Sequence, residues 1–176
     1  ESAHLNVVGL DCHIGSQLTD ATPFVDALDK LLQLISKLNS QGIHITHLDL
    51  GGGVGIKYDD EQTIDIAAYI ATVIERVDDL EIILEPGRAI VGNAGIFVTQ
   101  VEFLKQNSDK SFAIIDGAMN DLLRPSFYNA YHQVLPVSED NQGVEAKWDL
   151  VGPICETGDF LAKDRKLSLS EGDYLA

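Results

Sequence analysis

The stretches Leu48-Asp49-Leu50-Gly51-Gly52-Gly53 and Leu84-Glu85-Pro86-Gly87-Arg88 decide how this chain is organised. Each follows a short apolar run typical of a buried strand, residues 43–48 in the first case and 81–84 in the second. A strand that ends in glycines presents bare backbone N–H groups, which can hold a phosphate. A strand that ends in Glu-Pro-Gly-Arg presents a carboxylate, a fixed turn and a cation. Together the two stretches indicate a pocket for a phosphorylated, nitrogen-containing cofactor, and therefore an enzyme.

The first half of the chain alternates strands with amphipathic helices. Apolar residues recur at three- and four-residue steps after Thr22-Pro23, which predicts a helix capped at Thr22 and closed by Gly42. A second helix is predicted from about Glu61 to Val77. Strand–helix repeats with loops at the carboxyl ends of the strands indicate parallel βα units, either a doubly wound sheet or part of a (β/α)₈ barrel.

The second half has a different pattern, because the helical period disappears after Gly95. Four apolar runs predict the strands of an antiparallel sheet, with polar turns at 107–110 and 138–143. The four runs are residues 96–103, 111–116, 132–137 and 145–151. We therefore expect an α/β part in residues 1–93 and a β-type domain in residues 94–176.

Composition excludes several classes of function. The 176 residues are 45% apolar and 23% charged, which is ordinary for a globular protein. The net charge of −16 argues against nucleic acid or an anionic membrane surface as a partner, since both require clustered Lys and Arg. No apolar run approaches the roughly 20 residues of a membrane span. Two cysteines, Cys12 and Cys155, are too few for a disulfide scaffold, so a cytoplasmic location is predicted.

The ends of the chain indicate a piece of a longer protein. The sequence opens at Glu1 rather than Met, and it stops within a run, Asp173 to Ala176, that is typical of the middle of a strand. We expect the chain to be an internal fragment.

Each candidate site residue also has an ordinary structural explanation when it is taken alone. His13 could be a buried histidine bonded to backbone, and the triple glycine could be a flexible turn. Glu85 could cap a helix and pair with Arg88 across the surface. Other candidates that could serve only as loop anchors or packing residues are Arg124, Tyr128 and Cys155. Their joint occurrence near predicted strand ends favours a site.

A metal site is not predicted. His44, His47 and Asp49 have a suggestive spacing. Along a strand, however, His44 and His47 would face opposite sides, because successive side chains alternate between the two faces.

Five motifs occur in a fixed order along nearly the whole chain. They are His13-Ile14-Gly15-Ser16-Gln17, Asp49-Leu50-Gly51-Gly52-Gly53, Glu85-Pro86-Gly87-Arg88, the run from Asp116 to Pro125, and Val151-Gly152-Pro153-Ile154-Cys155-Glu156. In this order they resemble the fold-type III pyridoxal-phosphate decarboxylases, and within them the branch that acts on diaminopimelate. The resemblance implies a (β/α)₈ barrel followed by an antiparallel β-domain. This chain would then hold roughly the last three barrel strands and the first half of the β-domain.

The resemblance implies pyridoxal 5′-phosphate as the cofactor. Glu85 would keep the pyridine nitrogen of the cofactor protonated by opposite charge, which the chemistry of decarboxylation requires. His13 would stack on the ring, and both residues would count as catalytic. The remaining residues implied to bind the cofactor are Ser16, Gly52, Gly53, Pro86, Gly87 and Arg88.

The implied substrate is meso-2,6-diaminopimelate, which would be converted to L-lysine and CO₂ in the last step of lysine biosynthesis. Arg88, Arg124 and Tyr128 would bind a substrate carboxylate, and Glu156 would bind the distal ammonium. Cys155 would return a proton to the substrate after CO₂ leaves. In this family it reaches the site of the neighbouring subunit, which implies a homodimer with shared active sites. The cofactor-linking lysine lies outside every motif found here, so the fragment alone is expected to be inactive.

Two other classes of protein remain open. A related decarboxylase acting on carboxynorspermidine, ornithine or arginine would carry similar motifs. Arg124 with Tyr128 favours a substrate with a distal carboxylate, because a guanidinium binds a carboxylate with two parallel hydrogen bonds. A non-catalytic pyridoxal-phosphate-binding barrel protein would lack the strand-rich second half.

Overall fold

A computed structural model describes residues 3–138 and 142–176. The chain divides into two compact units, Glu1–Ala94 and Gly95–Ala176. The elements, in chain order, are β1 (Gly9–Asp11), α1 (Thr22–Ser40), β2 (His47–Asp49), α2 (Ile66–Arg76), β3 (Glu81–Ile83), α3 (Arg88–Val91), β4 (Thr99–Gln106), β5 (Ser111–Ile115), α4 (Leu123–Tyr128), β6 (Val144–Val151), β7 (Phe160–Leu169) and β8 (Tyr174–Leu175). Within the described residues, no helix is long and apolar enough to cross a membrane.

The first unit is built on a three-stranded parallel sheet in the order β1-β2-β3. Side chains alternate between the faces of a strand, so Leu10, Leu48 and Ile82, which lie side by side in register, share one face. They pack with the apolar faces of α1 and α2, and Leu48 is fully buried. The parallel pairing predicted from the strand–helix alternation is confirmed.

Helix α1 begins at Thr22, one residue before the predicted first helical position, and Ala21 rather than Thr22 occupies the cap position. The Asp20 carboxylate accepts hydrogen bonds from the Thr22 backbone N–H (2.9 Å) and from the Thr22 hydroxyl (2.8 Å). Thr22 is thus the first helical residue rather than the cap, and its hydroxyl is a donor. The helix ends at Ser40, and Gly42 follows with φ +83°, the left-handed conformation that favours glycine there.

Helix α2 begins later than the sequence predicts. It starts at Ile66, and the side chain of Asp65 caps it. Glu61 instead accepts hydrogen bonds from the backbone N–H groups of Asp59 (2.7 Å) and Tyr58 (3.0 Å), which lower the pKa of its carboxyl. The predicted start was wrong because this local turn competes with helix formation.

The second unit is a five-stranded sheet in the order β7-β6-β5-β4-β8. Three of its pairings are antiparallel, but β5 and β6 run parallel. The prediction of a purely antiparallel sheet is therefore wrong at this pair. A parallel pair needs a long crossover connection, and the segment between β5 and β6, which contains α4, is long enough to provide it.

Other predicted strands and turns had mixed outcomes. The turn at 107–110 joins β4 to β5, with Asn107 N–H donating to Lys110 C=O at 2.8 Å. Residues 132–137 do not form a regular strand, although Leu135 and Val137 exchange backbone hydrogen bonds with residues 174–176. Residues 139–141 of the predicted turn at 138–143 lie outside the described residues. Helix α4 and strand β7 were not predicted.

The core of the second unit forms around Trp148, which is fully buried. Its indole N–H donates to the C=O groups of Leu167 (3.1 Å) and Val144 (3.3 Å), so the polar atom of this large side chain is satisfied inside the core. The buried residues packed with it are Val101, Ala113, Ile115, Leu150, Leu161, Ala162, Leu169 and Leu175.

Candidate active site

The three loops that follow β1, β2 and β3 lie at one edge of the sheet, because the strands are parallel. The glycine loop after β2 touches both of its neighbours. A Cβ atom on Gly52 would overlap the C=O of Glu85, and one on Gly53 would overlap the C=O of Gly15. A Cβ atom on Gly51 would lie 2.6 Å from Nδ1 of the His13 ring. The triple glycine is thus a close backbone approach, which the alternative of a flexible turn does not describe.

His13 and Glu85 face each other across this glycine loop. His13 Nδ1 lies 3.4 Å from Glu85 Oε2, and Gly52 N–H donates to His13 Nε2 at 3.4 Å. A neutral imidazole with its proton on Nδ1 satisfies both contacts. Both side chains are about half exposed, at 52% and 53%. His13 is therefore bonded to backbone, as the ordinary structural explanation has it, but it is not buried, and a flat ring has an open imidazole face to stack on.

Arg88 does not form the surface ion pair with Glu85 that would have given both residues an ordinary structural explanation. Its Nη1 donates to Gln17 Oε1 at 3.0 Å, and its guanidinium carbon lies 5.9 Å from the centre of the Tyr58 ring. Arg88 is the first residue of α3, and Gly87 precedes it as the cap. Gln17 lies in the first of the five motifs, but the sequence predicts no role for it.

The remaining predicted cofactor residues of the first unit are exposed in the same loops. They are Ser16, Pro86 and Gly87. A Cβ on Gly87 would meet nothing within 4 Å, so this part of the edge is open. The geometry thus brings His13, Gly52 and Glu85 into contact, sets Gly53 against Gly15, and leaves Ser16, Pro86 and Gly87 accessible in the same loops.

In the second unit, Cys155 and Glu156 lie in a short loop between β6 and β7. Cys155 is a free, exposed thiol. Glu156 Oε1 accepts hydrogen bonds from the Thr157 hydroxyl at 3.1 Å and from Gly158 N–H at 3.4 Å, and the residue is exposed. Both predicted side chains are therefore available to a ligand.

Asp159 holds this loop at its base, a role that the sequence did not reveal. Asp159 is 4% exposed, and its two carboxylate oxygens accept hydrogen bonds from Met119 N–H and Ile154 N–H, both at 2.7 Å. Gly152 N–H also donates to the Asp159 C=O at 3.1 Å. A buried carboxylate directly after a glycine carries no local pattern, so only the fold identifies its partners.

Arg124 and Tyr128 lie together on α4, four residues apart. The guanidinium carbon of Arg124 is 5.4 Å from the centre of the Tyr128 ring. The buried Nε of Arg124 has no hydrogen-bond partner in the part of the chain that the structure describes. A buried guanidinium N–H needs an acceptor, and a carboxylate ligand would supply one.

The residues with metal-like spacing make other contacts. His47 Nε2 lies 3.0 Å from Glu81 Oε2, and Asp49 accepts a hydrogen bond from Gly51 N–H at 2.8 Å. Among residues 3–138 and 142–176, no group of three or more His, Cys, Asp or Glu side chains could hold a metal ion.

Three known proteins illustrate what this chain resembles. It is 55% identical over 176 residues to the diaminopimelate decarboxylase of Vibrio cholerae, covering 98% of this chain and 42% of that protein. It is 55% identical over 178 residues to the diaminopimelate decarboxylase of Pseudomonas aeruginosa, covering 100% and 43%. The crystal structure of diaminopimelate decarboxylase from Helicobacter pylori, complexed with L-lysine, superposes with a TM-score of 0.91 at 39% identity, covering 99% and 44%. The chain thus spans about two fifths of the length of the curated relatives it matches.

A family-level match agrees with these similarities. Residues 1–92, more than half of the chain, match the family described as pyridoxal-dependent decarboxylase, pyridoxal binding domain. These residues contain β1, β2, β3 and the loops at their carboxyl ends. With the glycine loop, the His13–Glu85 pair and this match in agreement, the chain belongs to the pyridoxal-dependent decarboxylase family.

Proposed function

We propose that the full-length protein decarboxylates meso-2,6-diaminopimelate to L-lysine and CO₂ with the help of pyridoxal 5′-phosphate. The observation that carries the cofactor chemistry is the Glu85–His13 pair at the edge of the glycine loop. The substrate is proposed from the names of relatives that are 55% identical to the chain.

The residues of the first unit fit this cofactor. A phosphate needs hydrogen-bond donors without side chains in the way, and Gly52, Gly53 and Gly87 with the Ser16 hydroxyl would supply them. A protonated pyridine nitrogen needs an anion, and Glu85 offers an accessible carboxylate. Pro86 and Arg88 would flank the cofactor on the loop after β3. The phosphate and the pyridine nitrogen of the cofactor would thus each have a matching group on this chain, whereas the cofactor-linking lysine would not.

When bound, the cofactor supplies an electron sink that accepts the electron pair released as CO₂ leaves. Glu85 holds a proton at the pyridine nitrogen, because a nearby carboxylate stabilises the positively charged ring. His13 covers one face of the site and, with its Nδ1–H beside Glu85, orients that carboxylate. Glu85 thus acts through its negative charge, and His13 acts by orienting the Glu85 carboxylate.

Substrate recognition is proposed for side chains with free hydrogen-bonding capacity. The Arg124 guanidinium, whose buried Nε lacks an acceptor among the described residues, would bind a carboxylate together with Tyr128 and Arg88. Glu156 would pair with the distal ammonium of the substrate. The exposed Cys155 thiol would donate the proton that replaces CO₂ at the α-carbon.

The domain and subunit organisation is proposed on the same basis. Residues 1–93 would be the last three strands of a (β/α)₈ barrel, supported by three adjacent parallel strands with two packed helices. Residues 94–176 would be the first half of a β-domain. The full-length protein would be a homodimer in which Cys155 serves the site of the partner subunit.

A CO₂-release assay on the full-length enzyme tests the function. Diaminopimelate, ornithine, arginine and carboxynorspermidine are compared at equal concentration, with and without added cofactor. We expect cofactor-dependent release with a clear preference for diaminopimelate. Preference for any of the other three substrates would overturn the substrate assignment, and cofactor binding without any release would favour a non-catalytic barrel protein.

Subunit mixing tests whether Cys155 acts in the partner's site. A Cys155→Ala subunit is combined with a subunit whose cofactor-linking lysine is replaced, each inactive alone. A shared-site dimer regains one intact site from the lysine of one chain and the thiol of the other. Confirmed heterodimers without recovered activity would put Cys155 in its own subunit's site or outside catalysis.

A further inference from the structure

Gln17 links all three loops at the edge of the first sheet. Its Nε2 donates to Ile56 C=O at 2.6 Å, and its Oε1 accepts from Ile56 N–H at 3.2 Å. The same Oε1 accepts from Arg88 Nη1 at 3.0 Å. From the loop after β1, one amide therefore holds the end of the glycine loop and the first residue of α3.

The backbone of Leu18, the residue after Gln17, also joins the loops after β1 and β2. Leu18 N–H donates to Gly53 C=O at 2.9 Å, and Gly55 N–H donates to Leu18 C=O at 2.8 Å. Gln17 itself has φ +57°, a left-handed conformation that residues with a side chain seldom adopt. Such an outlier persists only where the surrounding contacts hold it, which indicates that the contacts of Gln17 position this loop firmly.

The three contacts require the chemistry of an amide. Ile56 C=O needs a donor, whereas Ile56 N–H and the Arg88 guanidinium need an acceptor. A primary amide offers both kinds of group on one planar end. A carboxylate of the same length could only accept, and a methionine of similar size has no donor and only a weak sulfur acceptor.

We propose that Gln17 is the positioning residue for the cofactor phosphate. It fixes the glycine loop relative to Ser16 and holds Arg88 at the same edge, so that the donors of three separate loops converge on one anion. This assignment rests on the proposed function, in which Ser16 and the glycine loop hold the phosphate. Gln17 acts through these residues and does not itself contact the cofactor.

The test compares two cofactor forms on full-length protein from which the cofactor has been removed. Pyridoxal 5′-phosphate and pyridoxal, which lacks the phosphate, are titrated against wild type, Gln17→Met and Gln17→Glu. Gln33→Met is the matched control, because Gln33 is exposed in the middle of α1. Circular dichroism checks that each variant is folded.

We expect Gln17→Met to bind pyridoxal phosphate on the order of 10–100-fold more weakly, the usual effect of losing a residue that orients a binding group. Its affinity for pyridoxal should be unchanged, and Gln33→Met should match wild type with both ligands. Gln17→Glu keeps the acceptor for Ile56 N–H and Arg88 but loses the donor, so it should also show a phosphate-specific loss.

Two results would overturn the proposal. One is wild-type affinity for pyridoxal phosphate in Gln17→Met, and the other is an equal loss for both ligands, which would mean a general structural role. If Gln17→Met does not fold, Gln17→Glu decides by the same criteria. A wild type that does not bind pyridoxal phosphate would instead overturn the proposed function, so the two failures are distinguishable.

Discussion

Replacing Gly53 by alanine tests whether the glycine loop depends on close backbone approach. Gly53 has φ +95°, and a Cβ atom at this position would overlap the C=O of Gly15 in the loop after β1. The left-handed backbone conformation and the overlap with Gly15 therefore affect the same short segment. The methyl group must therefore push the two loops apart or force Gly53 into another conformation.

The expected effect of Gly53→Ala has two parts. The left-handed backbone costs about 1–2 kcal/mol for a residue with a side chain. Relieving the overlap requires a movement on the order of 1 Å, and misplacement by 1 Å in a binding site costs roughly 10²-fold in rate. We therefore expect Gly53→Ala to lower kcat/KM for decarboxylation by about 10²-fold and to weaken cofactor binding.

The assay measures cofactor affinity, kcat/KM and thermal unfolding of the full-length enzyme. Gly42→Ala is the matched control, because Gly42 has φ +83° at the end of α1 and a Cβ there meets nothing within 4 Å. It should show the conformational loss of stability without loss of cofactor affinity. If Gly53→Ala resembles Gly42→Ala in all three measurements, the glycine loop does not need its close contacts and the reasoning is wrong.

The remaining predictions concern three carboxylates. Glu85→Gln should retain the cofactor but lower turnover by ~10²–10³, whereas Glu81→Gln, at the start of β3, should leave turnover unchanged; equal turnover in Glu85→Gln and wild type would make Glu85 structural. Burial raises the pKa of Asp149, but hydrogen bonds from the Lys110 ammonium (2.8 Å) and a backbone N–H outweigh it and leave the pKa below its usual 3.8. A carboxyl group whose pKa is lowered by folding stabilises the fold when the pH is above its usual pKa. This contribution is lost as the pH falls through the folded-state pKa. The stability difference between wild type and Asp149→Asn, followed by urea unfolding, should therefore shrink as the pH drops from 7 to below 3.8, and a constant difference would contradict this. Asp159→Asn turns an amide donor toward one of two backbone N–H groups and should cost about 1–3 kcal/mol in urea unfolding; no loss would show that the loop does not depend on the carboxylate.

Much of the first unit could be predicted because its signals are local. The apolar periodicity of α1, the glycine that closes it, and the apolar runs of β2 and β3 lie within short windows. Glycines and Glu-Pro-Gly-Arg at strand ends predicted the edge at which His13 and Glu85 meet. Helix α4 escaped prediction because six residues with Pro125 among them are too short for a periodic pattern.

Errors arose where a local hydrogen bond or a distant strand changed the outcome. Glu61 forms a turn with Tyr58 and Asp59, so α2 starts at Ile66 and not at Glu61. The parallel pairing of β5 with β6 depends on which edge of β5 the returning chain meets. Neither the turn at Glu61 nor the parallel pairing of β5 with β6 leaves a periodic pattern in the sequence.

The sequence by itself determined the parallel βα organisation of the first unit, the strand-rich second unit, and the residue types of the site. The tertiary structure decided which atoms meet: Gln17 bonds Ile56 39 residues away, and Asp159 bonds Met119 40 residues away. Periodicity and turn chemistry act over a few residues and are visible in any short window. A buried amide or carboxylate, in contrast, finds its partners only when distant segments pack and remove water from it, so its role is fixed by the fold.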